Sequence, residues 1–169
     1  VANMATKTEK IGVLGAGTMG AGIAQVAAQA GFETLIYDIK QEFIEAGLGR
    51  IRDFLQGSRQ RGKISPDDEK QILDRLRSTT KLETFEESTL IIEAVPEKLE
   101  LKRDIFKQLD GICGPETLLA TNTSSFSVTA IAADTQHPER VLGLHFFNPP
   151  PLMALVEVIQ GDRTTLEVI

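Results

Sequence analysis

Apolar positions along this chain follow two spacings. Short apolar runs at residues 11–14, 34–37, 90–95, 118–121, 141–144 and 155–159 have the length and character of β-strands. Between them lie stretches with helical spacing. A first helix is expected over residues 21–30. Over residues 41–60, Ile44, Leu48, Ile51 and Leu55 recur at four- and three-residue intervals and form one apolar stripe. Ser65, Pro66 and the acids Asp67, Asp68 and Glu69 start another helix: Ser65 suits the cap, Pro66 the first turn, and the acids the positive helix end. It is expected to run to about Leu76, with a short strand over residues 79–82. Pro96 closes the strand at 90–95, and a helix follows over residues 99–109. Ser127 caps a short helix that reaches about Ala133. Strands that alternate with helices predict an α/β fold, doubly wound, with a mostly parallel sheet and helices on both faces. Residues 10–169 read as one domain, with a helical hairpin at about 41–76. Residues 1–9 read as an N-terminal extension, of which Val1, Ala2 and Asn3, before Met4, look like the remnant of a tag.

The first strand runs directly into Gly15-Ala16-Gly17-Thr18-Met19-Gly20, which opens the first helix. In that setting G-x-G-x-x-G is a dinucleotide-binding pattern. Gly15 permits the tight turn, Gly17 lets the backbone approach a pyrophosphate, and Gly20 lets the helix pack closely. The helix N-terminus offers N–H groups and partial positive charge to the phosphates. The second strand ends in Asp38, 18 residues beyond Gly20, where an acid accepts hydrogen bonds from the adenosine ribose hydroxyls. A carboxylate there repels a 2′-phosphate, so NAD is expected over NADP, with Lys40 the nearest cation.

Composition narrows the partners. The formal net charge of −6 argues against broad binding to nucleic acid or an anionic membrane. No apolar run reaches the roughly 18 residues of a spanning helix. The lone Cys113 cannot form an internal disulfide, and no secretory signal is visible, which together favour the cytoplasm. One Cys and two His are too few and wrongly spaced for a metal site.

In a doubly wound sheet, ligands bind beyond the carboxyl ends of the strands. Three polar segments fall there: Glu97 with Lys98 and Lys102; Asn122 to Ser125; and His145 to Pro150. Polar groups gathered where a nicotinamide would lie suggest hydride transfer from a hydroxyl-bearing carbon. That reaction needs a base for the hydroxyl proton. His137 precedes Pro138 in a polar loop and is expected to face solvent. His145 ends an apolar strand and is the better address for a base. Glu157, inside an apolar run, is a candidate orienting acid because a buried acid needs a partner. Other readings stand beside these: His145 as a hydrogen-bonded structural residue, Glu157 pointing outward on an edge strand, and Asn122 and Ser124 as turn and capping residues.

The glycine loop with Met19, Glu93-Ala94-Val95-Pro96-Glu97, Asn122-Thr123-Ser124-Ser125, Leu144-His145-Phe146-Phe147-Asn148-Pro149 and Leu155-Val156-Glu157-Val158-Ile159 together resemble the 3-hydroxyacyl-CoA dehydrogenases, most closely the bacterial 3-hydroxybutyryl-CoA group. The resemblance covers nearly the whole chain and implies a Rossmann-type fold. It implies that His145 takes the proton of the 3-hydroxyl, that Glu157 orients and stabilises the imidazole, and that Ser124 hydrogen-bonds the substrate oxygen. It places Asn122 at the nicotinamide end of the cofactor, with Glu97 and Lys102 near it. It places Arg61, in a basic cluster with Arg59 and Lys63, against the phosphates of CoA. Members of the family continue into a helical domain that closes the cleft and makes a homodimer. The chain therefore reads as the NAD-binding domain of a longer protein, expected to bind NAD but to turn over poorly alone. Two further readings are a dehydrogenase of a free hydroxy acid, of the L-gulonate type, and a non-catalytic dinucleotide-binding protein such as lens lambda-crystallin.

Overall fold

The computed structural model describes residues 9–169. The segment read as a tag remnant, Val1 to Asn3, lies outside the described residues. Strands β1 (Lys10–Leu14), β2 (Glu33–Tyr37), β3 (Leu76–Thr79), β4 (Leu90–Glu93), β5 (Leu118–Thr121), β6 (Val141–Phe146) and β7 (Val156–Gln160) form one sheet. Its spatial order is β3-β2-β1-β4-β5-β6-β7. All neighbours are parallel except β6 and β7, which are antiparallel. Helices α1 (Thr18–Gln29), α2 (Gln41–Gln60), α3 (Pro66–Asp74), α4 (Leu99–Ile112) and the short α5 (Val128–Ile131) complete the chain. The strand order reverses across β1 and β4, which is the switch point where such folds open a ligand crevice.

Period-two alternation divides the core between the two faces of the sheet. Val13, Ile92, Ala120 and Leu142 pack with Ile23, Ile44, Ile51 and Leu55 of α1 and α2. Their chain neighbours Leu14, Ile91, Leu119 and Val141 pack on the other face with Phe85, Phe106, Leu109 and Ile131. The mostly parallel strands are covered on both faces, so their sequences read as continuous apolar runs. Ser65 caps α3 in a reciprocal pair with Asp68: each side chain accepts from the other residue's N–H, at 3.0 and 2.9 Å.

The boundaries differ from the sequence pattern where tertiary pairing overrides it. Helix α3 stops at Asp74, and the edge strand starts at Leu76, three residues before its expected position. Pairing with β2, Thr34 opposite Leu76 through Tyr37 opposite Thr79, recruits Arg77 and Ser78, which carry no apolar signal. Residues Leu82–Glu87 form a 3-10 turn. Helix α1 begins at Thr18, so Thr18 and Met19 are its first turn. Strand β6 continues through His145 to Phe146.

A buried ion pair joins α4 to the amino end of β6. Arg140, 3% exposed, reaches from before β6 to the Asp110 carboxylate at 2.7 Å. It also donates to the carbonyls of Thr117 at 3.2 Å and Cys113 at 3.4 Å, and to that of Gly114. His137 is half exposed, with Nδ1 3.1 Å from the same carboxylate, so the expected solvent-facing residue is partly tethered. Among the described residues no helix is long and apolar enough to cross a membrane.

Candidate active site

The glycine loop joins β1 to α1, and each glycine meets a different constraint. Gly15 has φ +96°, and a Cβ there would lie 2.7 Å from the Ala94 carbonyl oxygen. A Cβ on Gly20 would lie 1.7 Å from the Gly15 carbonyl oxygen, so the helix packs onto the loop's own backbone. A Cβ on Gly17 would meet nothing within 4 Å: it would enter open space at the start of α1. No side chain caps that helix end, which leaves its first-turn N–H groups and positive dipole for an anion.

A cavity of about 650 Å³ opens there, bordered by Gly17, Met19, Asp38, Phe43, Val95 and Leu101. Asp38 sits at its margin. One carboxylate oxygen accepts from the Ala16 N–H at 2.8 Å and the other from the Ile39 N–H at 2.7 Å. The acid thus holds the glycine loop while facing the cavity. Arg50 holds the next peptide group, donating to the Ala16 carbonyl at 3.2 Å. Gly47 of α2 makes this approach possible, since a Cβ there would lie 2.6 Å from that carbonyl oxygen. The sequence pattern did not single out Arg50 or Gly47. The signal available was a glycine on the buried stripe of a helix, which costs about 1 kcal/mol relative to alanine and marks close packing.

Outside that cavity, β7, β6 and the turn after β5 bring Glu157, His145 and Ser124 to one point. The antiparallel register sets Glu157 directly opposite His145. Glu157 Oε2 lies 2.7 Å from His145 Nδ1, and Ser124 Oγ lies 3.0 Å from Nε2. A carboxylate can only accept, so Nδ1 carries the proton and donates it. In the neutral ring Nε2 is then an acceptor, and the Ser124 hydroxyl donates to it. The Phe147 ring packs edge-on against the imidazole, with centroids 4.8 Å apart. The His145 side chain is 18% exposed and that of Glu157 50%, so the pair is within reach of a ligand. Asn122 braces the strand ends: its Oδ1 accepts from the Phe146 N–H at 2.8 Å.

Glu97 and Lys102 occupy different environments. Glu97 is partly exposed beside residues 123–125. Burial works against its charge, but hydrogen bonds from Thr123, Lys102 and Ser125 and the Lys102 charge outweigh that. Its carboxyl is held below the usual carboxylate range. Lys102, expected near the cofactor, is buried with its ammonium between Glu93 and Glu97. Arg61 lies at the exposed C-cap of α2, folded back along the helix beside Gly57. Its neighbour Arg59 is paired with Glu69 of α3 at 2.6 Å.

The family model for the 3-hydroxyacyl-CoA dehydrogenase NAD-binding domain matches residues 10–169. The chain belongs to this family. A 3-hydroxyadipyl-CoA dehydrogenase of Escherichia coli is 46% identical over 98% of the chain, and a 3-hydroxybutyryl-CoA dehydrogenase of Clostridioides difficile is 43% identical over 92%. The crystal structure of an Escherichia coli 3-hydroxybutyryl-CoA dehydrogenase superposes with a TM-score of 0.93 over 95% of the chain, at 47% identity. The chain spans 35% and 56% of those two relatives and 34% of that solved chain. The family's cofactor, NAD, fits the loop: open space at Gly17, an uncapped helix end and a carboxylate, Asp38, at the cavity margin match the needs of a dinucleotide.

Gly17→Val is expected to leave the melting temperature nearly unchanged, because a Cβ there meets no protein atom within 4 Å and the backbone φ of −69° suits any residue. NADH affinity is expected to fall at least about tenfold, or roughly 1.4 kcal/mol, in a fluorescence titration. Unchanged affinity would place the phosphates elsewhere.

Proposed function

We propose that this domain serves the NAD-dependent oxidation of an L-3-hydroxyacyl-CoA, of short chain such as 3-hydroxybutyryl-CoA, to the 3-oxoacyl-CoA. The observation that carries the reading is the Glu157–His145–Ser124 chain at 2.7 and 3.0 Å, at the strand ends of an NAD-binding fold. Bound NAD⁺ supplies a hydride acceptor. The glycine loop and the start of α1 hold its phosphates, and Asp38 its adenosine ribose.

His145 Nε2 is the free basic site of the neutral ring, and it removes the proton of the substrate's 3-hydroxyl. Ser124, hydrogen-bonded to that nitrogen in the free domain, turns its hydroxyl to the substrate oxygen. Glu157 keeps Nδ1 protonated, and so keeps the lone pair on Nε2 aimed at the substrate. Its charge also stabilises the imidazolium that forms. Asn122, tied to the Phe146 amide, borders the nicotinamide end. Arg61 at the exposed end of α2 contacts the CoA phosphates as a charge-assisted donor.

The same reading places the protein in the cytoplasm as a homodimer that meets an acyl-CoA. The relatives extend well beyond the matched region, and Leu155 together with Val156, Val158 and Ile159 of β7 is exposed around Glu157. That apolar edge is suited to be covered by the remaining length of such a protein, which would also dry the site and strengthen its electrostatics.

Acetoacetyl-CoA-dependent oxidation of NADH is the test, run on this chain and on the chain extended through any downstream sequence. Activity in the extended chain alone is expected. Absence of activity from both, with NADH still bound, would overturn the CoA-ester substrate; oxidation of free L-gulonate would then identify the hydroxy-acid alternative.

A further inference from the structure

Ala16, the second residue of the glycine loop, is 1% exposed, so both its backbone groups need protein partners. Each finds one on a different element. The N–H donates to the carboxylate of Asp38, just after β2, at 2.8 Å. The carbonyl oxygen accepts from Arg50 Nη1 of α2 at 3.2 Å. Among the described residues no other group donates to that oxygen.

The oxygen is pressed against α2. Gly47 and Arg50 are three residues apart and share one helix face. A Cβ on Gly47 would lie 2.6 Å from the oxygen and 3.0 Å from the Ala16 Cβ, so the close approach depends on glycine. The helix backbone has no donor to offer there, because N–H groups in mid-helix bond the preceding turn. Side chains on a helix lean toward its N-terminus, so Arg50 reaches back over the turn that Gly47 leaves bare.

The consequence falls on the other half of the peptide. The Ala16–Gly17 bond is trans, and in a trans peptide C=O and N–H point in opposite directions. With the carbonyl drawn to α2, the Gly17 N–H is turned to the side away from that helix. Gly17 borders the 650 Å³ cavity together with Met19 and Asp38. Among the described residues nothing accepts from its N–H. Without Arg50 the Ala16 oxygen is a buried acceptor with no donor, which the peptide relieves by turning.

We propose that Arg50 is a positioning residue for the cofactor: by holding the Ala16 carbonyl against α2, it keeps the Gly17 N–H turned toward the cavity, ready to donate to the pyrophosphate of NAD. This rests on the reading that the glycine loop holds the phosphates of NAD, and it is independent of the acyl-CoA substrate.

The variants are Arg50→Met, which keeps the stem and removes every donor, and Arg50→Lys, which keeps a charge and a donor. Arg50 is exposed, so both are expected to fold. They are made in the chain extended through any downstream sequence, and calorimetry measures binding of NADH, ADP-ribose and adenosine. Arg50→Met is expected to weaken NADH and ADP-ribose alike by about 3- to 10-fold, the range of one hydrogen bond. Adenosine, with base and ribose but no phosphate, keeps its affinity. Arg50→Lys recovers most of the loss. The loss persists in about 0.5 M salt, where a charge acting through solvent is screened. Undiminished affinity of Arg50→Met for NADH and ADP-ribose would overturn the proposal. A loss that vanishes in high salt would do so too, leaving Arg50 as an attracting charge only. Equal weakening of adenosine would mean that the whole loop, Asp38 included, had been disturbed, and would also count against it. Arg50 borders a second groove with Phe54 and Pro150; a raised KM for acetoacetyl-CoA with NADH binding intact would make it a substrate contact instead. If the unsubstituted protein binds neither NADH nor ADP-ribose, the cofactor reading itself fails, an outcome distinct from all of these.

Discussion

His145→Gln in the chain extended through any downstream sequence is expected to lower kcat for acetoacetyl-CoA-dependent NADH oxidation by about 10²–10⁴-fold, the usual contribution of a positioned acid–base group. NADH affinity should stay unchanged, because His145 does not border the cavity at the glycine loop and Asp38. Glutamine keeps a planar polar group that can hydrogen-bond Ser124 and Glu157, but it cannot take up a proton. The variant therefore separates chemistry from architecture. Steady-state kinetics with a parallel NADH titration reads both. An undiminished rate would remove His145 from the mechanism and favour a binding role for the domain. Equal losses in rate and NADH affinity would mean that the imidazole serves the cofactor instead.

Arg140→Met is expected to destabilise the domain by about 3–5 kcal/mol, the cost of breaking a buried ion pair from one side. For a chain of this size that corresponds to a fall in melting temperature on the order of 10 °C. The substitution strands Asp110, whose side chain is 4% exposed, and leaves the carbonyls of Gly114, Thr117 and Cys113 without their shared donor. The acid side of the stability profile should change with it. Burial raises the Asp110 pKa, but Arg140, the Gln136 N–H and His137 together outweigh it and hold it below 3.8. A depressed pKa means that the unfolded chain binds the proton more tightly. The stabilisation is thus complete above that ordinary value and is lost as pH falls through the lower, folded one. Thermal melts between about pH 3 and pH 7 should show wild-type stability falling at the acid end, and a weaker or reversed slope in Arg140→Met. A loss under about 1 kcal/mol would place the pair among exposed bridges of little weight.

Features carried by neighbouring residues were legible in the chain. Apolar runs marked six of the seven strands to within two residues at each end, because a strand covered on both faces must be apolar throughout; β7, exposed along its length, is apolar without that cover. The stripe Ile44, Leu48, Ile51, Leu55 marked α2, and Ser65 with its acids marked the start of α3. The glycine pattern and Asp38 are local too: a tight turn, an open helix end and an acid one strand away follow from the βαβ unit itself. His145 stood out by elimination, as the one histidine at the end of an apolar strand.

Other features depended on which segment lay beside which. Strand β3 is extended because β2 offers it hydrogen bonds, and its own residues carry too little pattern to reveal its ends. Glu157 faces His145 because β7 turns back antiparallel beside β6; a parallel last strand would have set different residues together. Arg50 reaches Ala16 from 34 residues away, and Thr121 reaches Glu93 from 28. Lys102 sits in a polar-looking helix start yet is buried, since an acid at the end of a neighbouring strand matches its charge. By itself the sequence determined the α/β alternation, the dinucleotide loop and the small set of residues able to do acid–base work, because periodicity, backbone freedom and side-chain chemistry are properties of short stretches. The direction of β7, the burial of Lys102 and the mutual distances in the Glu157–His145–Ser124 chain were decided only by tertiary structure, because hydrogen bonds and charge compensation between distant segments depend on their packing and leave no periodic trace along the chain.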